Sequence, residues 1–268
     1  MLNAGVSTAC LYPQPLEDAL YELALGGVQQ TEIFINTHSE LRRSFIMSMA
    51  ELLRRFDMKC RSLHPFTGEM ESMMFFSPYE RRVQDMLDYY KHYFAAMEAL
   101  GAEIFVLHGN KAAGNIPLYA ERFSRIASAA KDFGVTVAQE NVARFASRSL
   151  DFLTELKKEL GSEAKFVLDV KQAVRSGESP EAMLVALGGS VVHVHISDHG
   201  AYGDCLLVGS GSFRIKRFLT RLSELSPDCS VMLELYRNAF GSTADLVQNY
   251  QVLERMIQSI YEQERKSL

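Results

Sequence analysis

Short apolar runs recur along this chain, and each is separated from the next by a longer stretch with apolar residues at helical spacing. Residues 2–7, 31–35, 59–64, 103–108, 135–140, 165–169, 191–196 and 230–235 alternate or run continuously in the manner of buried strands. Between and after them, 15–25, 40–56, 79–100, 117–133, 149–160, 180–187, 213–225 and 243–264 carry the period of an amphipathic helix. Gly26-Gly27, Gly101, Gly134 and Gly161 follow four of these stretches as stop signals. Residues 65–78 are expected to form a loop.

No predicted strand follows another directly, so the strands must be parallel and joined by helical crossovers. Eight such units in 268 residues give the length and rhythm of an α/β fold closed as a (β/α)8 TIM barrel, with residues 1–268 in a single domain. An open doubly wound sheet that binds a dinucleotide needs a glycine-rich turn after its first strand. Ser7-Thr8-Ala9-Cys10 supplies none.

Composition narrows the partners. A hydrophobic content of 47% allows a sizeable core, and a net charge of -5 argues against a generally basic surface, so a nucleic-acid partner is disfavoured. The four cysteines form no C-x-x-C pair, which favours a reducing compartment. With no export signal at residues 1–13 and no apolar run of about 18 residues, the expectation is a cytoplasmic protein without a membrane partner. The charged end, 262–268, is expected to be weakly ordered.

In a barrel of this kind the active residues stand at the C-terminal ends of strands. There the third to eighth predicted strands carry His64, His108, Glu140, Asp169, His195 and Glu234. Glutamate and aspartate rarely end apolar strands unless they are paired or bound to metal. Three carboxylates at one mouth would repel unless a cation neutralised them. Glu140, Asp169, His195 and Glu234 form a mostly hard donor set that suits Mn2+ or Mg2+, and the imidazole admits Zn2+ or Co2+. The competing expectation is a carboxylate ring tied to Lys171, Arg144 or Arg237.

The period of two sends His193 to the same face as His195 but lower, where supporting a ligand is expected rather than ligation. His64 and His108 suit a second metal, a substrate oxygen or a loop hydrogen bond. Arg144 and Lys171 suit an anionic substrate or salt bridges. Gly209-Ser210-Gly211-Ser212-Phe213-Arg214 reads either as a phosphate cradle or as a turn capped by Ser212. Cys205 reads as a reactive thiol or a passive small residue, and Tyr89, Tyr90, Tyr93 and Phe94 as helix packing or a subunit contact.

Thr31-Glu32-Ile33-Phe34, Leu63-His64-Pro65, Val106-Leu107-His108-Gly109, Gln139-Glu140-Asn141, Leu168-Asp169-Val170, His193-Val194-His195, Gly209-Ser210-Gly211 and Leu233-Glu234-Leu235 occur in an order and spacing that spans nearly the whole chain. In this the sequence resembles the xylose-isomerase-like TIM barrels, which include sugar and sugar-phosphate isomerases and epimerases and an apurinic-site endonuclease. The resemblance implies one divalent metal held by Glu140, Asp169, His195 and Glu234. It also implies that Glu140 and Glu234 flank the substrate carbon, one removing a proton and the other returning it through an enediolate. Four positions depart from the family's pattern: Gln172 and Cys205 stand for histidines, and Ser210 and Ala146 for glutamates. These departures alter the substrate shell, where His64, His108, Arg144, Lys171 and Gln172 are the expected contacts. The expected function is a metal-dependent isomerase or epimerase of a sugar, sugar phosphate or sugar acid. A polyol or keto-sugar dehydratase, an apurinic-site endonuclease-like hydrolase and a non-catalytic sugar-binding barrel are the alternatives, and assembly into a homo-oligomer is left open.

Overall fold

The computed structural model describes residues 1–112 and 114–267, with side chains through 263. Eight parallel strands close into a barrel: β1 Asn3–Ser7, β2 Gln30–Phe34, β3 Lys59–His64, β4 Ile104–Leu107, β5 Thr136–Glu140, β6 Phe166–Asp169, β7 Val191–Ile196 and the last strand, Ser230–Leu233. Each pairs with its neighbours in chain order, and the last returns to β1 with Gly5 opposite Met232. The fold is the (β/α)8 barrel that the strand rhythm predicts.

Helices α1 Leu16–Leu25, α2 Arg43–Arg55, α3 Gly68–Met74, α4 Glu80–Leu100, α5 Ile116–Lys131, α6 Leu150–Leu160, α7 Val170–Arg175, α8 Pro180–Leu187, α9 Ile215–Leu225 and α10 Thr243–Ser267 lie between and after the strands. Their apolar stripes face the outer side of the barrel, which places the main core between the two layers. On α4, Tyr90, Tyr93 and Phe94 are fully buried around Phe105 of β4, so this aromatic group is helix packing. The helix ends at Gly101, whose φ of 69° is left-handed and costs a glycine little. Residues 262–267 of the charged end, expected to be weakly ordered, continue helix α10, and residue 268 lies outside the described residues.

Three local features depart from the sequence expectations. Residues 65–78 are not all loop, because α3 forms within them. A second unexpected helix, α7, follows β6 without a break, because the Asp169 carboxylate accepts from Gln172 N at 2.8 Å and caps it. The mouth loop after β7 folds into an antiparallel pair, β8 Asp198–Gly200 and β9 Gly203–Leu206, so the expectation of parallel strands joined by crossovers holds for the barrel alone. The last barrel strand is therefore β10.

Strand alternation decides what fills the barrel. Ile104, Val106, Ala138 and Val167 form a small apolar cluster separate from the main core. Counting on by twos from these residues reaches His108, Glu140 and Asp169, so the same alternation that buries the floor presents polar groups at the C-terminal mouth.

Candidate metal centre

The site is built from a buried carboxylate upward. Glu32 on β2 is fully buried in the barrel and accepts hydrogen bonds from Ser7 Oγ at 2.9 Å and Ser62 Oγ at 2.8 Å. Its Oε2 also lies 3.1 Å from Nε2 of both His193 and His195. Burial works against a charge on Glu32, and the two imidazoles outweigh it, holding the carboxyl well below the usual range. His193 is fixed from its other side by Ser230 Oγ, 2.5 Å from Nδ1. With Nε2 of His195 turned to Glu32, its Nδ1 points up into the mouth.

Three carboxylates surround that nitrogen. Glu140 Oε1 lies 3.1 Å from His195 Nδ1, Glu234 Oε2 3.5 Å and Asp169 Oδ2 3.7 Å. All four donors fall within 4.8 Å of one another. A cation about 2.1 Å from each donor needs neighbouring donors about 3.4 Å apart in a tetrahedral site and about 3.0 Å apart in an octahedral one. The distances from His195 Nδ1, 3.1 to 3.7 Å, lie at or slightly above these values, so the donor set fits a divalent metal in both chemistry and geometry.

The four groups do not share one electrostatic fate. For Glu140 burial raises the pKa, but His195 and His108 more than offset it, so the carboxylate stays ionised. Burial pushes the Glu234 carboxyl up to about 7, against the pull of Lys171 and His195. Burial also disfavours charge on His195, yet Glu32 and Glu234 raise its pKa well above the imidazole range. In the metal-free protein, protons on His195 and Glu234 thus partly neutralise the cup.

Of the three cations weighed as partners for the carboxylate ring, Lys171 makes the contact. Its buried Nζ lies 2.8 Å from Asp169 Oδ2 and 2.5 Å from Glu234 Oε2. Arg237 instead donates to the carbonyls of Phe240 and Gly241. Arg144 is exposed at the rim of a cavity of about 720 Å3 that opens above the cup. Tyr12, Phe34, Phe66, Phe145 and Tyr236 give this cavity aromatic walls, and Lys171, Gln172 and Arg175 add polar groups. Arg175 is held by Asp204 and donates to Tyr236 Oη at 2.5 Å. The Gln172 side chain lines the cavity and accepts from Ala143 N at 3.0 Å, tying the loop that carries Arg144 to α7.

His64 and His108 stand together on the neighbouring wall, their Nε2 atoms 3.3 Å apart, with His108 Nε2 3.6 Å from Glu140 Oε2. These three residues form a second group with metal-ligand spacing. Burial drives the His64 pKa down to about 3, which keeps the ring neutral. Behind His108 lies Glu71, fully buried on α3, which accepts from Gly109 N at 2.5 Å and faces His108 Nδ1 at 3.9 Å. A Cβ at Gly68 would overlap the His108 ring, so the helix backbone also fixes that imidazole.

Sequence reasoning assigned no role to Glu32 or Glu71. Glu32 carries a usable signal, a carboxylate inside the apolar run Thr31-Glu32-Ile33-Phe34, whereas Glu71 sits in an aperiodic stretch and carries none.

The glycine-rich loop is already occupied by the protein itself. Both carboxylate oxygens of buried Asp198 accept backbone N–H bonds, from His199 at 2.8 Å, Gly209 and Gly211 at 3.0 Å and Phe213 at 3.1 Å. The amides of a phosphate cradle are thereby satisfied internally. Ser212 does not cap α9; its hydroxyl turns to the His199 carbonyl at 3.4 Å. Cys205 accepts from Tyr236 N at 3.4 Å, and burial raises its pKa, which keeps it a thiol.

The sequence matches the family described as xylose isomerase-like TIM barrel over residues 19–256. The chain belongs to that family. No curated protein matches it by sequence. Among solved structures, a D-tagatose 3-epimerase-like protein shares 21% identity at a TM-score of 0.78, over 97% of this chain and 99% of that one. D-allulose 3-epimerase from Methylomonas sp., in complex with D-allulose, shares 16% at a TM-score of 0.76, over 95% and 96% of the two chains. The IOLI protein with a bound zinc atom also shares 16%, at a TM-score of 0.78 and over 96% and 99%. At such identities the likeness carries the xylose isomerase-like fold. No helix among the described residues is long and apolar enough to cross a membrane.

Proposed function

We propose that this member of the xylose isomerase-like family is a divalent-metal-dependent isomerase or epimerase of a sugar, sugar phosphate or sugar acid. The observation that carries the reading is the convergence of Glu140, Asp169, Glu234 and His195 Nδ1 at coordination spacing beneath a cavity of about 720 Å3. A D-tagatose 3-epimerase-like protein, D-allulose 3-epimerase and L-ribulose 3-epimerase among its structural neighbours support a carbohydrate substrate. A divalent cation held by these residues would polarise a substrate carbonyl and its neighbouring hydroxyl and so acidify the intervening C–H.

The chain's own groups supply the proton transfers. Glu140, kept ionised by His195 and His108, is suited to take the proton from carbon. Glu234, the other glutamate of the cup, is suited to return one from the other side. His64 and His108 offer nitrogen atoms to substrate hydroxyls, and Arg144 offers a charge at the rim for an anionic group. The aromatic walls limit water around the reacting carbon.

The test is exchange. Mn2+-loaded protein incubated in D2O with a panel of ketoses, ketose phosphates and sugar acids should place deuterium at the carbon beside the carbonyl of at least one of them. Glu234→Gln should abolish that exchange. No exchange across the panel would overturn the enzyme reading in favour of a binding barrel. Elemental analysis of protein purified without added metal identifies the ion.

A further inference from the structure

The sequence leaves a lysine-tied carboxylate ring and a metal cup as alternatives, and the structure contains the contacts of both. Lys171 forms ion pairs with Asp169 and Glu234 but not with Glu140, so the ammonium stands on one flank of the cup and not at its centre. The two oxygens it touches, Asp169 Oδ2 and Glu234 Oε2, are also the oxygens that face His195 Nδ1. Asp169 has no second oxygen to spare, because Oδ1 caps α7 through Gln172 N. Lys171 is itself held in place: it lies on that capped helix, it is buried, and its Nζ sits 5.4 Å from the centre of the Tyr236 ring.

We propose that the Lys171 ammonium is a built-in counter-ion that shares Asp169 Oδ2 and Glu234 Oε2 with the divalent cation, keeping the cup assembled when no ion is bound and limiting how tightly one binds. The charge count gives the reason. Glu140, Asp169 and Glu234 carry three negative charges when ionised, and Lys171 reduces the total to two, which a divalent ion neutralises. Without the ammonium, Asp169 Oδ2 and Glu234 Oε2 would lose their buried ion-pair partner, so the metal-free barrel would depend more heavily on the ion for its stability. With it, an incoming ion meets a nearby positive charge and draws on oxygens already engaged.

This inference rests on the metal-binding part of the proposed function, and the experiment separates the two. Wild type, K171M and K171R are stripped of metal, melted, and titrated with Zn2+ and Mn2+ against a competing chelator. Metal-free K171M should melt roughly 5 °C or more below wild type. It should also bind the ions at least about tenfold more tightly. K171R, which keeps the charge, should stay close to wild type in affinity. K171M affinity equal to or weaker than wild type overturns the counter-ion role and leaves the metal reading standing. Ion binding by K171M alone supports the counter-ion role and refutes a metal-dependent wild type, and binding by neither variant overturns both. Should K171M fail to fold, the Lys171 15Nζ resonance of wild type, assigned by its loss in K171R, gives the answer. A shift on Zn2+ addition supports shared oxygens, and an unmoved resonance overturns the proposal.

Discussion

Glu32→Gln tests the layer beneath the metal centre with almost no change in volume. Oε2 of Glu32 faces three donors, Ser62 Oγ and Nε2 of His193 and His195, whereas Oε1 faces Ser7 Oγ alone. The amide would therefore place its oxygen at Oε2 and its NH2 toward Ser7. Two charge-assisted bonds to imidazole then become neutral ones, at about 1 kcal/mol each. The Ser7 hydroxyl already accepts from Ala9 N, and turning it to accept from the amide as well strands its proton for about another 1 kcal/mol. The sum is about 3 kcal/mol, or a melting temperature about 6–12 °C lower in a chain of this size. The His195 ring also loses the carboxylate that fixes Nδ1 toward the cup, which should weaken metal binding about 10–100-fold. Thermal denaturation of the metal-free protein and Zn2+ titration measure the two effects. A variant within 2 °C of wild type and within about threefold in affinity would refute the linkage from Glu32 through His195 to the metal.

Metal affinity should depend on pH in a defined direction. Glu234, pushed by burial up to about 7, and His195, raised further by Glu32 and Glu234, both hold protons that an ion must displace. Affinity should therefore fall by about tenfold to a hundredfold for each pH unit below 7, and a flat profile from pH 5.5 to 7 would contradict this. In the metal-free protein the Glu234 shift acts on stability with the matching sign. Its contribution is full below the ordinary value of 4.5 and is lost as pH rises through about 7, which urea titrations at several pH values would detect. Gly211→Ala would drive a Cβ into Asp198 Oδ1 and the His199 carbonyl. A loss of about 1–3 kcal/mol, with faster proteolysis confined to the loop, is the expected result, and a change under 0.5 kcal/mol would show that the loop yields freely.

The barrel was legible because its strands and helices differ in period, and because glycines mark several helix ends. The carboxylates of the cup were legible for a different reason: a charge at the end of Phe166-Val167-Leu168 or Val231-Met232-Leu233 has little purpose in a core. What escaped was determined by partners distant in sequence. Asp169 both ends β6 and caps α7, so the helix starts where no separate signal stands. The spacing of Gly209 and Gly211 indicates that amides converge, but only the fold shows that Asp198, eleven residues before Gly209, fills the space between them. Whether Lys171 or an ion balances the carboxylates was undecidable from composition, since that depends on where a flexible side chain ends.

The internal anion in the mouth loop also bears on which substrates can be told apart. A loop whose amides are taken by Asp198 offers nothing new to a phosphate ester that drifts past it. Discrimination between a sugar and its phosphorylated form would then fall to Arg144, an exposed side chain on the cavity rim that a single substitution could remove without disturbing the barrel.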